Sequence, residues 1–192
     1  DAGRPMLLAG RGGTRFATNI SNFAAKGTLG GAALSAQSST VRYSLADGFV
    51  ARNMAVALGE GDSSTNFLEA ALAGRFDASG INGTLEGGSG QIGNIPLLID
   101  EAAGNWRYLN NVLTLDSSLK VMDAEQVDRF NSINVPDMML TLENSIIKAI
   151  GNLTEPKTGT QVAGVDIRHD LRDSSGRALL SVDNLRFNER FQ

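Results

Sequence analysis

Cysteine is absent from the 192-residue sequence, which removes disulfide staples and thiolate metal sites from consideration. A cysteine-free chain suits the cytoplasm and the bacterial periplasm alike. Histidine occurs once, at His169, and the chain lacks His-x-x-x-His, Gly-x-Ser-x-Gly and any calcium-loop spacing of acids. Aromatic residues make up 6% of the chain, too few for the two interfacial girdles of an outer-membrane barrel. Basic excess is missing too. The 17 Lys and Arg are scattered against 21 Asp and Glu, for a net charge of -4, so there is no basic stripe and no nucleic-acid partner is expected. No apolar run approaches the ~18 residues of a membrane-spanning helix, and no signal peptide opens the chain, so an anchor or export signal is expected outside these residues.

What the chain does contain is glycine, 22 residues against four prolines, and repeated period-two alternation. The pairing suits many short strands joined by tight turns, and 42% hydrophobic residues suffice for one core. The strongest pattern lies near the end. Val165, Ile167, His169 and Leu171 fall on one face of an extended strand, with Asp166, Arg168, Asp170 and Arg172 on the other. Asp173-Ser-Ser-Gly176 supplies turn chemistry, with the glycine available for positive φ, and Leu180 and Val182 return. The alternation slips at Asp183-Asn184, where a bulge would keep Leu185 and Phe187 on the same apolar face.

Upstream, Phe16 to Leu29 reads as a weakly alternating strand ended by Gly30-Gly31. Val41, Tyr43 and Leu45 pair through Ala46-Asp47-Gly48 with Met54, Val56 and Leu58. Leu68, Ala70, Leu72, Gly74 and Phe76 share a face, and Ile81, Gly83 and Leu85 make a short strand before the loosest stretch, 86–93. Ile95 to Ile99 reads as a strand buried on both faces or meeting another layer. Leu113, Leu115, Leu119 and Val121 give the cleanest alternation, entered through Asn110-Asn111. Residues 123–136 read as polar and irregular. Residues 137–153 fit an amphipathic helix through Met138, Leu142, Ile146 and Ile150, but a hairpin turning at Glu143-Asn-Ser145 fits better.

Two features invite chemistry. Gly88-Ser-Gly-Gln-Ile-Gly93 matches the dinucleotide glycine pattern, with Asp116 near the spacing of a ribose-binding acid, but Asn94-Ile-Pro-Leu-Leu-Ile99 is strand-like where the motif requires a helix. A flexible turn between strands is the better reading. His169 sits on an apolar strand face, which favours a structural role over acid–base work. No enzyme activity and no cofactor are expected.

Three segments carry a resemblance: Gln91-Ile-Gly-Asn-Ile-Pro-Leu-Leu-Ile99; Gly151-Asn-Leu-Thr-Glu-Pro-Lys-Thr-Gly159; and Val165-Asp-Ile-Arg-His-Asp-Leu171 with Gly176-Arg-Ala-Leu-Leu-Ser-Val182 and Leu185-Arg-Phe187. Over about residues 80–190, and only in general character over 1–80, the chain resembles the C-terminal part of the YdbH-type, AsmA-like proteins of Gram-negative bacteria, a domain also labelled "dicarboxylate transport". The resemblance implies a mainly β fold with little helix, an extended twisted antiparallel sheet of hairpins curled into an open, taco-like trough. Residues 1–192 would then be a single β-rich domain, a fragment of a much longer periplasmic protein held at the inner membrane by an anchor outside the fragment. The implied function is conduction of phospholipid between inner and outer membrane along an apolar groove, with acyl chains as ligand and an outer-membrane-side lipoprotein as partner. The groove candidates are the apolar faces of the best-defined strands: Leu113, Leu115, Leu119, Val121, Val165, Ile167, Leu180, Val182, Leu185 and Phe187. The alternative is a structural or adhesive β-domain without lipid transport. Dicarboxylate transport is set aside, because a dianion crossing a membrane needs spanning elements and paired cations that the sequence does not contain.

Overall fold

The computed structural model describes residues 6–10, 13–59, 66–78, 80–92, 97–124 and 132–182. Twelve strands lie in one sheet in strict sequence order: β1 (Met6–Gly10), β2 (Gly13–Leu29), β3 (Ala32–Ser44), β4 (Gly48–Leu58), β5 (Asn66–Asp77), β6 (Gly80–Ile92), β7 (Leu97–Leu109), β8 (Val112–Asp123), β9 (Ile133–Glu143), β10 (Ile146–Thr154), β11 (Gln161–Asp170) and β12 (Ser175–Ser181). Every neighbouring pair is antiparallel, and among the described residues β1 and β12 are the edge strands and no helix occurs. The sheet is open, as the sequence leads one to expect.

The turns follow from residues that tolerate positive φ. Asn110 and Asn111 (φ 51° and 64°) and Asn144 and Ser145 (φ 51° and 62°) form two-residue turns whose twist matches the flanking strands. Residues 137–153 are therefore a hairpin, β9–β10, and not a helix. In the β11–β12 turn the left-handed position belongs to Ser174 (φ 56°) and not to Gly176. Gly176 lies in β12 opposite His169, where a Cβ would come within 2.8 Å of the Arg168 carbonyl oxygen.

Parts of two stretches expected to be irregular, 86–92 and 133–136, are strand, and residues 125–131 of the second stretch lie outside the described residues. Residues 86–92 continue β6, with Phe67, Leu68 and Glu69 opposite Gln91, Gly90 and Ser89. Glycine hid them from a reading based on side-chain alternation, but the ladder uses only backbone groups. A Cβ on Gly90 would stand 2.2 Å from the Phe67 carbonyl oxygen, so close approach explains the residue. Likewise β9 begins at Ile133 and includes Pro136. The register shifts against both neighbours in this region, between Ser117 and Leu119 on one side and between Ile150 and Thr154 on the other, and a bulge is where a strand proline is tolerated. The Asp137 carboxylate replaces part of the lost ladder by accepting from the Asn152 backbone N–H (3.0 Å) and Nδ2 (2.7 Å).

Twelve strands exceed the ~10 that an open twisted sheet usually carries without curling. Here the sheet folds back on itself. The Gly30-Gly31 turn of β2–β3 meets the Asn144-Ser145 turn of β9–β10: the Ser145 N–H donates to the Gly30 carbonyl (2.8 Å), and the Leu171 N–H donates to the Ser145 carbonyl (2.8 Å). Beneath this clasp Ala32, Leu142, Ile147 and Leu171 are buried together, flanked by Leu29, Leu58, Leu113 and Leu140.

The clasp generates a prediction. Gly30 has φ +57°, and a Cβ there would lie 2.6 Å from both Leu142 Cγ and the Leu142 carbonyl oxygen. Gly30→Ala should cost about 2 to 3 kcal/mol in urea unfolding from left-handed strain plus the clash, while Gly27→Ala, with nothing within 4 Å of its Cβ, should change stability by under about 0.5 kcal/mol. A second concerns acid. The Asn152 hydrogen bonds hold the Asp137 carboxyl below its ordinary 3.8. Its contribution is fully present above the unfolded value and is lost as pH falls through the lower folded value. Asp137→Asn should accordingly lose less stability than the wild type between pH 6 and pH 3, measured by paired urea titrations.

Candidate functional site: the inner face of the curled sheet

Period-two alternation gives each strand one apolar face, and antiparallel pairing lines these faces up in rows across the sheet. One row runs Ile20–Val41–Ala51–Leu72–Leu85–Gly104–Ser117–Met138. The next runs Thr18–Tyr43–Phe49–Gly74–Gly83–Trp106–Leu115–Leu140–Ala149–Ile167–Ala178, without interruption from β2 to β12. In this row two glycines separate two aromatic residues. The rings of Phe49 and Trp106 come to a centroid distance of 6.1 Å across β5 and β6, and a Cβ on Gly74 would sit 2.6 Å from the Phe49 ring and 2.7 Å from the Trp106 ring. The indole N–H donates to the Thr84 carbonyl (3.1 Å). Glycine on adjacent strands thus lets the face curl until distant aromatic residues touch.

The curl buries part of the face against itself and leaves most of the Thr18–Ala178 row partly exposed. Ala70, Leu85, Ala102, Leu119 and Val135 form one core, and Val41, Ala51 and Met54 form another. Leu115 and Val121 pack on the first, as does Trp106, while Leu113 packs beneath the clasp. Of the four candidates on β8, Leu119 is buried at 7% exposed, and Leu113, Leu115 and Val121 are partly buried against these cores. Val165 and Ile167 on β11 are half-buried, and Val165 lies opposite Leu180. At β12 the cover ends: Leu180 is 64% exposed and Val182 45%. Leu185 and Phe187, with the bulge expected at Asp183-Asn184, lie outside the described residues.

Polar atoms on this face are few. His169 (6% exposed) and Ser117 (7%) are buried, and His169 Nε2 and Ser117 Oγ have no hydrogen-bond partner. Each costs about 1 to 3 kcal/mol relative to a satisfied group. The two lie three strands apart in the sheet, so they do not form one constellation. Among the described residues no group of three or more acids or histidines could hold a metal. Within the dinucleotide-like pattern, Gly88 to Ile92 lie on a strand that pairs on both sides, and no helix occurs among the described residues that follow.

Sequence reading missed the residues that cover the face. Ala32, Val135, Ile147 and the Phe49–Trp106 pair come together through contacts distant in the chain, for which a single strand's alternation carries no signal. The glycines of β5–β7 were the available hint. No protein-family model, curated protein or solved structure matches this chain.

The unequal cover yields a prediction. Leu115→Glu puts a charge against a packed core and should cost about 2 kcal/mol or more, whereas Leu180→Glu at the open edge should cost under about 1 kcal/mol, both read from chemical denaturation midpoints.

Proposed function

We propose that this chain is part of the periplasmic body of a YdbH-type, AsmA-like protein that conducts phospholipid between the inner and outer membrane. Acyl chains run along the inner face, the protein is held at the inner membrane through an anchor outside these residues, and a lipoprotein on the outer-membrane side is the partner that completes the path. The chain does no catalysis, needs no cofactor and binds no nucleic acid. The observation that carries the reading is the inner-face row that crosses the sheet without interruption and ends at exposed Ala178 on β12, on the same face as the exposed Leu180. Exposed apolar surface of that kind marks an interaction site. Headgroups would stay in water while acyl chains replaced water along Val165, Ile167, Leu180 and Val182.

The same structure favours a second reading through a different observation. Leu119 lies in a core, and Leu113, Leu115 and Val121 pack against one, as they would in a structural β-domain without transport. For the conduit, these residues form the floor that stiffens the sheet, and the open edge is where lipid rides.

The two readings part in one experiment. The protein is expressed with phospholipid present and analysed by native mass spectrometry, alongside Leu180→Glu. The conduit predicts co-purifying phospholipid on the wild type and at least a tenfold lower occupancy on a folded Leu180→Glu. A wild type that carries no lipid, or a variant that carries as much, leaves the structural domain as the better account.

A further inference from the structure

The outer face of β2–β4 is built differently from the inner one. Strict alternation would turn Asn53 inward with Ala51, but Ala51 (1% exposed) and Met54 (5% exposed) are the inward pair. The register with β5 shifts between these two residues, so both Arg52 and Asn53 are exposed. A bulge re-aims a side chain in this way. On the adjacent strand Arg42 pairs with Val50 and with Asn19, and Thr40 lies one residue beyond Val41, which pairs with Ala51. Arg42 and Arg52 are thus diagonal neighbours on one face, within reach of a shared partner.

These residues line one hollow of about 740 Å³ on the outer face: Asn19, Thr40, Arg42, Arg52 and Asn53, with Asp47. Among the described residues the side chains of the first five have no hydrogen-bond or ion-pair partner. The Asp47 carboxylate is engaged by the Ser44 hydroxyl (3.1 Å), which also accepts from the Asp47 backbone N–H (3.1 Å). In a chain of net charge -4, two arginines line one hollow with no carboxylate bound to either, beside neutral donors and an Asp47 carboxylate engaged by Ser44. Like charges side by side repel, and an anion with several oxygens relieves that while accepting from both forks.

We propose that this hollow binds a phosphate group, with Arg42 and Arg52 as the charged clamp and Asn19, Thr40 and Asn53 as neutral donors. Inorganic phosphate and the phosphate of an anionic lipid headgroup share the required chemistry. The site lies on the face opposite the apolar rows, so it stands or falls independently of lipid conduction there.

The test uses the whole chain. Inorganic phosphate is titrated at low ionic strength and followed by NMR shifts of the Asn19 and Asn53 side-chain amides and the Arg42 and Arg52 Nε–H groups. In parallel, the protein is sedimented with phosphatidylcholine vesicles, with and without phosphatidic acid. The expected result is saturable phosphate binding centred on these groups, weakened at least tenfold in Arg42→Gln and in Arg52→Gln. Both variants should keep wild-type circular dichroism, because the side chains are exposed. Co-sedimentation with phosphatidic acid vesicles that is lost in Arg42→Gln/Arg52→Gln identifies a headgroup as the source, and phosphate binding without co-sedimentation identifies the free anion. Absence of saturable phosphate binding, or binding unchanged in the double variant, overturns the site.

Discussion

A single sheet has two faces, and with neither a helical layer nor a second sheet among the described residues to cover the apolar one, that face is removed from water by folding the sheet over itself. The fold depends on this constraint. It is met where the Gly30-Gly31 turn docks on the Asn144-Ser145 turn, through hydrogen bonds from Ser145 to Gly30 and from Leu171 to Ser145. Only a residue without a Cβ fits at Gly30, since Leu142 occupies that space. Those bonds are modest, about 1 kcal/mol each. Their effect is large because they hold Ala32, Leu142, Ile147 and Leu171 in a common core, where each large aliphatic side chain contributes about 1.5 to 3 kcal/mol on burial.

Curling has to be distributed along the strands, and the sheet does this with glycine and bulges. Register shifts occur between Ala51 and Met54, Glu69 and Ala71, Leu85 and Gly88, Asp100 and Ala103, and Ser117 and Leu119, on successive strands from β4 to β8. A bulge bends its strand and raises the local twist, so a run of bulges on neighbouring strands bends the whole sheet. Gly74 leaves room for the Phe49 and Trp106 rings to meet, and Gly83 lets β6 approach the Ala73 carbonyl of β5. Glycine lowers strand stability in isolation, and it is retained where a side chain would prevent the two halves from closing.

This division explains what the sequence disclosed. Strand faces such as Leu113–Leu115 and Val165–Ile167, and turns at Asn110-Asn111 and Asn144-Ser145, are local consequences of period and of residues that accept positive φ, so they were legible. Residues 86–92 were misread as loose because glycine leaves no side-chain pattern, and Pro136 disguised the start of β9 because its bulge cannot be seen without the neighbouring strands. The apolar face of the candidate site was legible as a set of residues. Which of them are covered was not: cover is a tertiary property, decided by where the Gly30 turn lands, and it separates Leu115 from Leu180 although their alternation looks the same.

The cover also runs out in a definite direction. From β3 to β10 each strand has at least one inner-face residue in a core, whereas every residue of β12 is exposed, including Leu179 at 52% and Leu180 at 64%. An exposed apolar edge strand invites pairing and aggregation unless something blunts it. Here the adjacent charges are Arg177 in the strand and the Asp170–Arg172–Asp173 group at its turn, so protection is concentrated at one end of β12, leaving Leu179, Leu180 and Val182 at the other. A sheet that covers part of its inner face and leaves Leu180 and Val182 open at β12 keeps apolar side chains in solvent on that face. On that face it forgoes the burial of two large side chains, Leu180 and Val182, a few kcal/mol at the usual scale.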